Sequence, residues 1–221
     1  MEPTLRTIES IDWITILIFG SLLFIVVAKG LFYNRFLNFI ILPFNNKYIF
    51  MYNKKEKLAN WFHSFFSIFQ IVNFSLFIYF IWTVFGEPLN DSNIVMFPII
   101  LGGLIAFLLV KVFLQLSNGF IFGANRDISE IIFKKLSYLN HSGLIMLLAN
   151  IMLAYVLKDS KLVIYVAFFL ILLVNGIGWV NVLRNHQKFI TNNFFYFILY
   201  LCALEISPLI IIGSYLKQLG I

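Results

Sequence analysis

Few residues in this chain combine a reactive type with a telling position, and the clearest is a single acid. Glu205 lies in the stretch Leu201-Cys202-Ala203-Leu204-Glu205-Ile206-Ser207-Pro208, at the middle of an apolar run from about Phe194 to Leu216. Its nearest flanking charges, Lys188 and Lys217, fall outside that run. A run of this length crosses a hydrocarbon core of roughly 30 Å. A charge at mid-depth costs roughly 2.5–3.5 kcal/mol on insertion scales, so such residues face a protein interior and mark proton, ion or partner sites. Pro208 follows three residues on. Its ring cannot donate a hydrogen bond and clashes with the carbonyl of Leu204, which loosens the helix beside the carboxyl group. Glu205 and Pro208 are therefore expected to form a site for a proton, a cation or a partner's basic group; the alternative is a neutral, protonated Glu205 that serves packing alone.

Three amides fall at similar depth in other apolar runs: Asn73, Asn150 and Asn175. An amide at mid-membrane needs a partner, although such bonds average only about 0.6 kcal/mol net. Either each amide bonds a neighbouring helix and serves packing alone, or some of them converge on Glu205.

The remaining chemistry is sparse. His63, His141 and His186 lie near the ends of apolar runs or in connections. They have no paired spacing, no Glu-x-x-His and no cysteine partner, and they read as interface histidines. The single cysteine, Cys202, lies inside a run, so neither a disulfide framework nor a metal-ligand set is expected. The sequence contains no phosphate-binding glycine loop and no serine elbow. No catalytic residue and no cofactor are predicted.

The elements that would hold these residues are membrane helices. The chain has 221 residues, 61% hydrophobic and 12% charged, with a mean hydropathy of +0.93. Soluble domains carry about 25% charged residues. The pI of about 9.4 does not point to nucleic acid, because the bases sit in connections beside apolar runs. The fold class expected is all-α, a polytopic membrane helix bundle forming a single integral membrane domain over residues 1–221. Spans are expected at about 13–32, 61–85, 94–114, 141–157, 162–183 and 194–216. The first has an acidic leading segment, is too long for a signal core and lacks a clear cleavage site, so it is read as a retained span. The short apolar stretch from Phe36 to Phe44, interrupted by Pro43, is expected to lie along the interface.

Residues 115–140 read differently. Asn118-Gly119 and Gly123-Ala124-Asn125 suggest a break. Asp127-Ile128-Ser129-Glu130 then resembles a helix start. Ile128, Ile131, Ile132, Leu136 and Leu139 recur at helical spacing, with Glu130, Lys134 and Lys135 on the other side. This predicts a separate amphipathic helix lying in the cytoplasmic interface, or docking a partner.

Charge orients the bundle. Twelve of the 16 basic residues fall in or beside the three connections on one side. Only Arg6, Lys158, Lys161 and Lys217 fall on the other. The positive-inside rule then places both termini outside the cytoplasm. No internal repeat is visible, which weighs against an inverted-repeat transporter.

The ending Leu201-Cys202-Ala203-Leu204-Glu205-Ile206-Ser207-Pro208-Leu209 resembles the Leu-Cys-x-Leu-Glu-x-x-Pro-Leu ending of a bacterial family of polytopic membrane proteins, domain of unknown function 4271. Length, the basic first connection and span order are similar along most of the chain. The resemblance implies a protein of the bacterial cytoplasmic membrane, with Cys202, Glu205 and Pro208 as its motif. It implies no activity.

Two functions are expected on these grounds. One is a membrane subunit or assembly factor of a cell-envelope or export complex, with Glu205 binding a partner helix or a proton. The other is a small proton- or cation-coupled transporter with Pro208 as a hinge. The partners expected are the lipid bilayer and other membrane proteins.

Overall fold

The computed structural model describes residues 12–45, 47–52, 60–86, 93–121 and 125–185. The expected sixth span, with Cys202, Glu205 and Pro208, and His186 lie outside these residues. Every regular element among the described residues is helical: α1 Asp12–Leu31, α2 Tyr33–Ile40, α3 Lys47–Tyr52, α4 Trp61–Phe85, α5 Asn93–Ile121, α6 Asn125–Ile151 and α7 Lys161–Asn185. Five of these, α1, α4, α5, α6 and α7, are long and apolar enough to cross a membrane. The protein is a multi-pass membrane helix bundle.

Local chemistry accounts for the helix ends. Asp12 stands in the first turn of α1 and Lys29 in its last, each complementing the helix dipole. Asn60 caps α4 by accepting the Phe62 N–H at 3.3 Å. At the far end of α6 the hydrogen bonding widens into a π-turn, Met152–Val156, closed by the Leu157 N–H on the Met152 carbonyl at 2.7 Å. The chain then reverses through Asp159 at φ 58°, a left-handed position that aspartate tolerates better than most residues.

The packing partners give the topology. Trp13 meets Tyr79, and Phe32 meets Phe62, so α1 and α4 run antiparallel. Tyr138 meets Asn181, and Ser142 meets Asn175, so α6 and α7 also run antiparallel. Between these pairs, α4 and α6 run parallel: His63 meets Asn140, and Asn73 meets Asn150, at the same sequence separation of 77. α5 returns between them along one side, touching both. The buried share of each span follows this layout, 50% for α6 and 44% for α4 against 22% for α1 and α7 and 11% for α5. The α4–α6 pair is therefore the core.

Two expectations are revised. The third span reaches beyond 114, to Ile121. The segment expected to form a separate interfacial helix is the opening half of α6, continuous with the fourth span. The reason is visible in burial. Of the polar side expected from Glu130, Lys134 and Lys135, Lys134 is buried, and so are Ser137, Asn140, Ile131, Ile132 and Phe133. With both faces covered by protein, nothing ends the helix where the apolar run begins.

Candidate functional site

Among the described residues, polar side chains converge where α2, α3, α4 and α6 meet. In α2, helical spacing puts Arg35, Phe36 and Phe39 on one buried face. The Arg35 guanidinium lies 4.8 Å from the ring centres of both Tyr52 and Phe62. Its Nε and Nη2 each donate towards the Tyr48 hydroxyl at 3.4 Å. Desolvated cation–π contacts of this kind contribute up to about 2 kcal/mol. The short α3 supplies Tyr48, fully buried and edge-on to Phe39 at 5.4 Å.

His63, in the first turn of α4, joins this group to α6. Its Nε2 lies 3.4 Å from the Tyr48 hydroxyl and 3.3 Å from Ser137 Oγ. Its Nδ1 accepts from Asn140 Nδ2 at 3.3 Å. The Ser137 hydroxyl donates to the Phe133 carbonyl at 2.8 Å, so it can accept from His63. These roles assign the neutral imidazole with its proton on Nε2, an assignment made from the network. Asn140 also exchanges hydrogen bonds with Ser67 on α4. Phe133 packs edge-on to the imidazole at 4.7 Å and completes the enclosure.

A histidine within reach of a serine hydroxyl is the minimum of a nucleophile–base pair. Here both side chains are buried, at 2% and 0% exposure, so a substrate has no access to either. No carboxylate among the described residues orients the ring. The same geometry serves well as a latch, in which one imidazole ties the α2–α3 connection to the α4–α6 pair.

The latch continues as a polar seam between α4 and α6. Gly143 sits so close to α4 that a Cβ there would meet Phe69 and Gln70 at 3.1–3.2 Å. Further along, Asn150 Nδ2 donates to the Asn73 carbonyl at 2.9 Å and reaches its Oδ1 at 3.4 Å. Asn175 is held apart from this pair, donating to Ser142 Oγ and to the Ile171 carbonyl, each at 2.8 Å. Of the residues singled out from sequence, then, Asn73 and Asn150 come together and Asn175 joins a different contact. Gln70 Nε2 and Asn150 Oδ1 are buried in the seam with no hydrogen-bond partner among the described residues. Among those residues no group of three or more His, Cys, Asp or Glu is placed to hold a metal ion.

The latch escaped sequence reasoning. From sequence, Arg35 reads as a connection charge and His63 as an interface histidine. The usable signal was the spacing of His63, Ser67 and Gln70, which places three polar side chains on one stripe of an otherwise apolar helix.

The pattern of the domain of unknown function DUF4271 matches residues 14–216, nearly the whole chain. The chain belongs to this family. The match includes the Cys202, Glu205 and Pro208 stretch as well as both halves of the latch. No curated protein matches the DUF4271 chain, and no solved structure does.

Proposed function

We propose that this DUF4271 protein is an integral subunit or assembly factor of a complex in the bacterial cytoplasmic membrane, serving envelope assembly or export, and that Glu205 is its intramembrane interaction or protonation site. The observation that carries the reading is the closed α4–α6 seam. Its amides bond across the helix pair, and Gly143 brings the two helices into close contact. A polar stripe used this way fixes two helices against each other; a transport path needs the same groups lining an opening. This favours the subunit over the proton- or cation-coupled transporter, in which Glu205 would carry the ion and Pro208 the hinge.

The charge distribution supports the orientation proposed with it. One end of the bundle carries Lys29, Arg35, Lys47, Lys111, Lys134, Lys135 and Arg184, while the other carries Lys158 and Lys161. The basic end is assigned to the cytoplasm, which leaves both termini outside it.

The test is Glu205→Gln, which keeps the side chain's shape and removes its charge. Tagged wild-type protein and the variant are extracted from the native membrane and their co-purifying chains quantified. The variant is expected to stay folded while losing most of a partner that the wild type holds at fixed ratio. Unchanged partner recovery would contradict the role given to Glu205.

A further inference from the structure

A second polar site lies on the opposite side of α6 from the latch. α5, α6 and α7 enclose a cavity of about 120 Å³ whose polar lining comprises Lys111 and Gln115 from α5, Lys135 and Tyr138 from α6, and Asn175 and Trp179 from α7. The Lys135 ammonium sits 3.9 Å from the Trp179 ring centre, a cation–π contact that fixes the charge at the cavity wall. Of its apolar lining, Ile132 is buried, whereas Leu108, Val112, Leu136 and Leu139 are only partly buried, so the cavity opens outward along an apolar wall.

Its depth is set by neighbours. Lys135 precedes by two residues Ser137, which touches His63 in the first turn of α4. The cavity therefore lies level with the start of α4, at the membrane boundary and at the basic end of the bundle. Basic pockets between membrane helices at this level are suited to lipid headgroups. The volume is well above the roughly 10–15 Å³ that a single water needs, so the cavity has room for a small polar group.

We propose that this cavity binds a phosphate-bearing anion between Lys111 and Lys135, in the membrane the headgroup of an anionic phospholipid whose acyl chains follow the Leu136 and Leu139 wall. Two ammonium groups delivered by different helices match the phosphate charge, and an uncharged or zwitterionic headgroup gains less from them. The ligand would brace α5, the least enclosed span, against α6 and α7. The proposal is independent of the complex assigned above.

The experiment uses the full chain, delipidated in mild detergent. Phosphatidylglycerol, phosphatidylcholine and inorganic phosphate are titrated separately, with bound lipid read by native mass spectrometry and stability by thermal unfolding. Phosphatidylglycerol should be retained and should raise the unfolding temperature, phosphatidylcholine should do neither, and the double variant Lys111→Gln/Lys135→Gln should bind phosphatidylglycerol roughly tenfold or more weakly. Lys158→Gln/Lys161→Gln, at the opposite end, should bind as the wild type does. Lys111→Arg/Lys135→Arg retains both charges and should retain binding; should the glutamine pair fail to fold, the single variant Lys111→Gln takes its place. Stabilisation by inorganic phosphate alone, lost in the glutamine variants, would support the phosphate site with a soluble ligand. Equal retention of both lipids, or phosphatidylglycerol binding unchanged in the glutamine variants, would overturn the proposal.

Discussion

Asn140 donates its side-chain amide to Nδ1 of His63 across 3.3 Å, joining two helices whose contact residues are 77 positions apart in the chain. That bond fixes the imidazole's tautomer, and with it the direction in which Nε2 faces Ser137 and Tyr48. The α2–α3 connection is held to the α4–α6 core through this ring.

Removing the ring should therefore cost more than its size suggests. His63→Ala leaves a cavity and strips partners from Asn140 and Ser137, both fully buried. The expected loss is about 2–4 kcal/mol, combining cavity and unsatisfied-polar costs. Thermal or denaturant unfolding in detergent measures it; a loss below about 0.5 kcal/mol would remove the latch from the account.

Arg35→Lys should not preserve stability. One ammonium cannot lie against Tyr52 and Phe62 together while bonding the Tyr48 hydroxyl, because it lacks the planar fork of the guanidinium. The variant should unfold at a lower temperature than the wild type, and His63→Ala should add little to it, since both act on one network.

Two glycines in α7 should separate cleanly. A Cβ at Gly178 would meet the Tyr138 ring at 2.6–2.7 Å, whereas nothing lies within 4 Å of the same position at Gly176. Gly178→Ala should destabilise by about 1–3 kcal/mol, the usual cost of overpacking. Gly176→Ala should be neutral or slightly stabilising, since alanine favours the helix. Unfolding curves of the two variants check this, and equal effects would contradict the packing of α6 on α7.

The Asn73–Asn150 pair should couple weakly. Interhelical bonds in membranes average about 0.6 kcal/mol and reach about 1.7 kcal/mol. Asn150→Leu removes the donor to the Asn73 backbone carbonyl and should cost an amount in that range in an unfolding measurement. Asn73→Leu keeps that carbonyl and loses only the 3.4 Å side-chain contact across the pair, so a double-mutant cycle should give little coupling, and no loss at all on Asn150→Leu would mean the bond across the seam is not made.

The parts of the fold legible in sequence were those written as unbroken apolar runs. The expected 61–85 and 162–183 fall on α4 Trp61–Phe85 and α7 Lys161–Asn185 because uniform apolar composition marks both ends of a span. The start of α6 is not legible in the sequence, because polarity there does not mean exposure. Lys134, Ser137 and Asn140 are polar and buried, since α6 has protein on several sides. The latch was illegible for a different reason. Arg35, Tyr48, His63 and Asn140 come from four helices, and no local spacing relates them. Asn73 and Asn150 were visible as costly residues at one depth, but depth alone gives no azimuth, which is why Asn175 was grouped with them.

Accessibility tests the orientation. In a Cys202→Ser background, cysteine at position 158 should react with an impermeant thiol reagent applied from outside cells whose membrane is intact. Cysteine at position 47 should react only after permeabilisation. The reverse pattern would invert the bundle.

The reading as a subunit is tested most directly by native mass spectrometry of the tagged wild-type protein, extracted from its own membrane in mild detergent. The account predicts a foreign chain bound at a fixed ratio. A lone monomer or a homo-oligomer, with pH-dependent ion flux after reconstitution, would contradict it and establish the transporter.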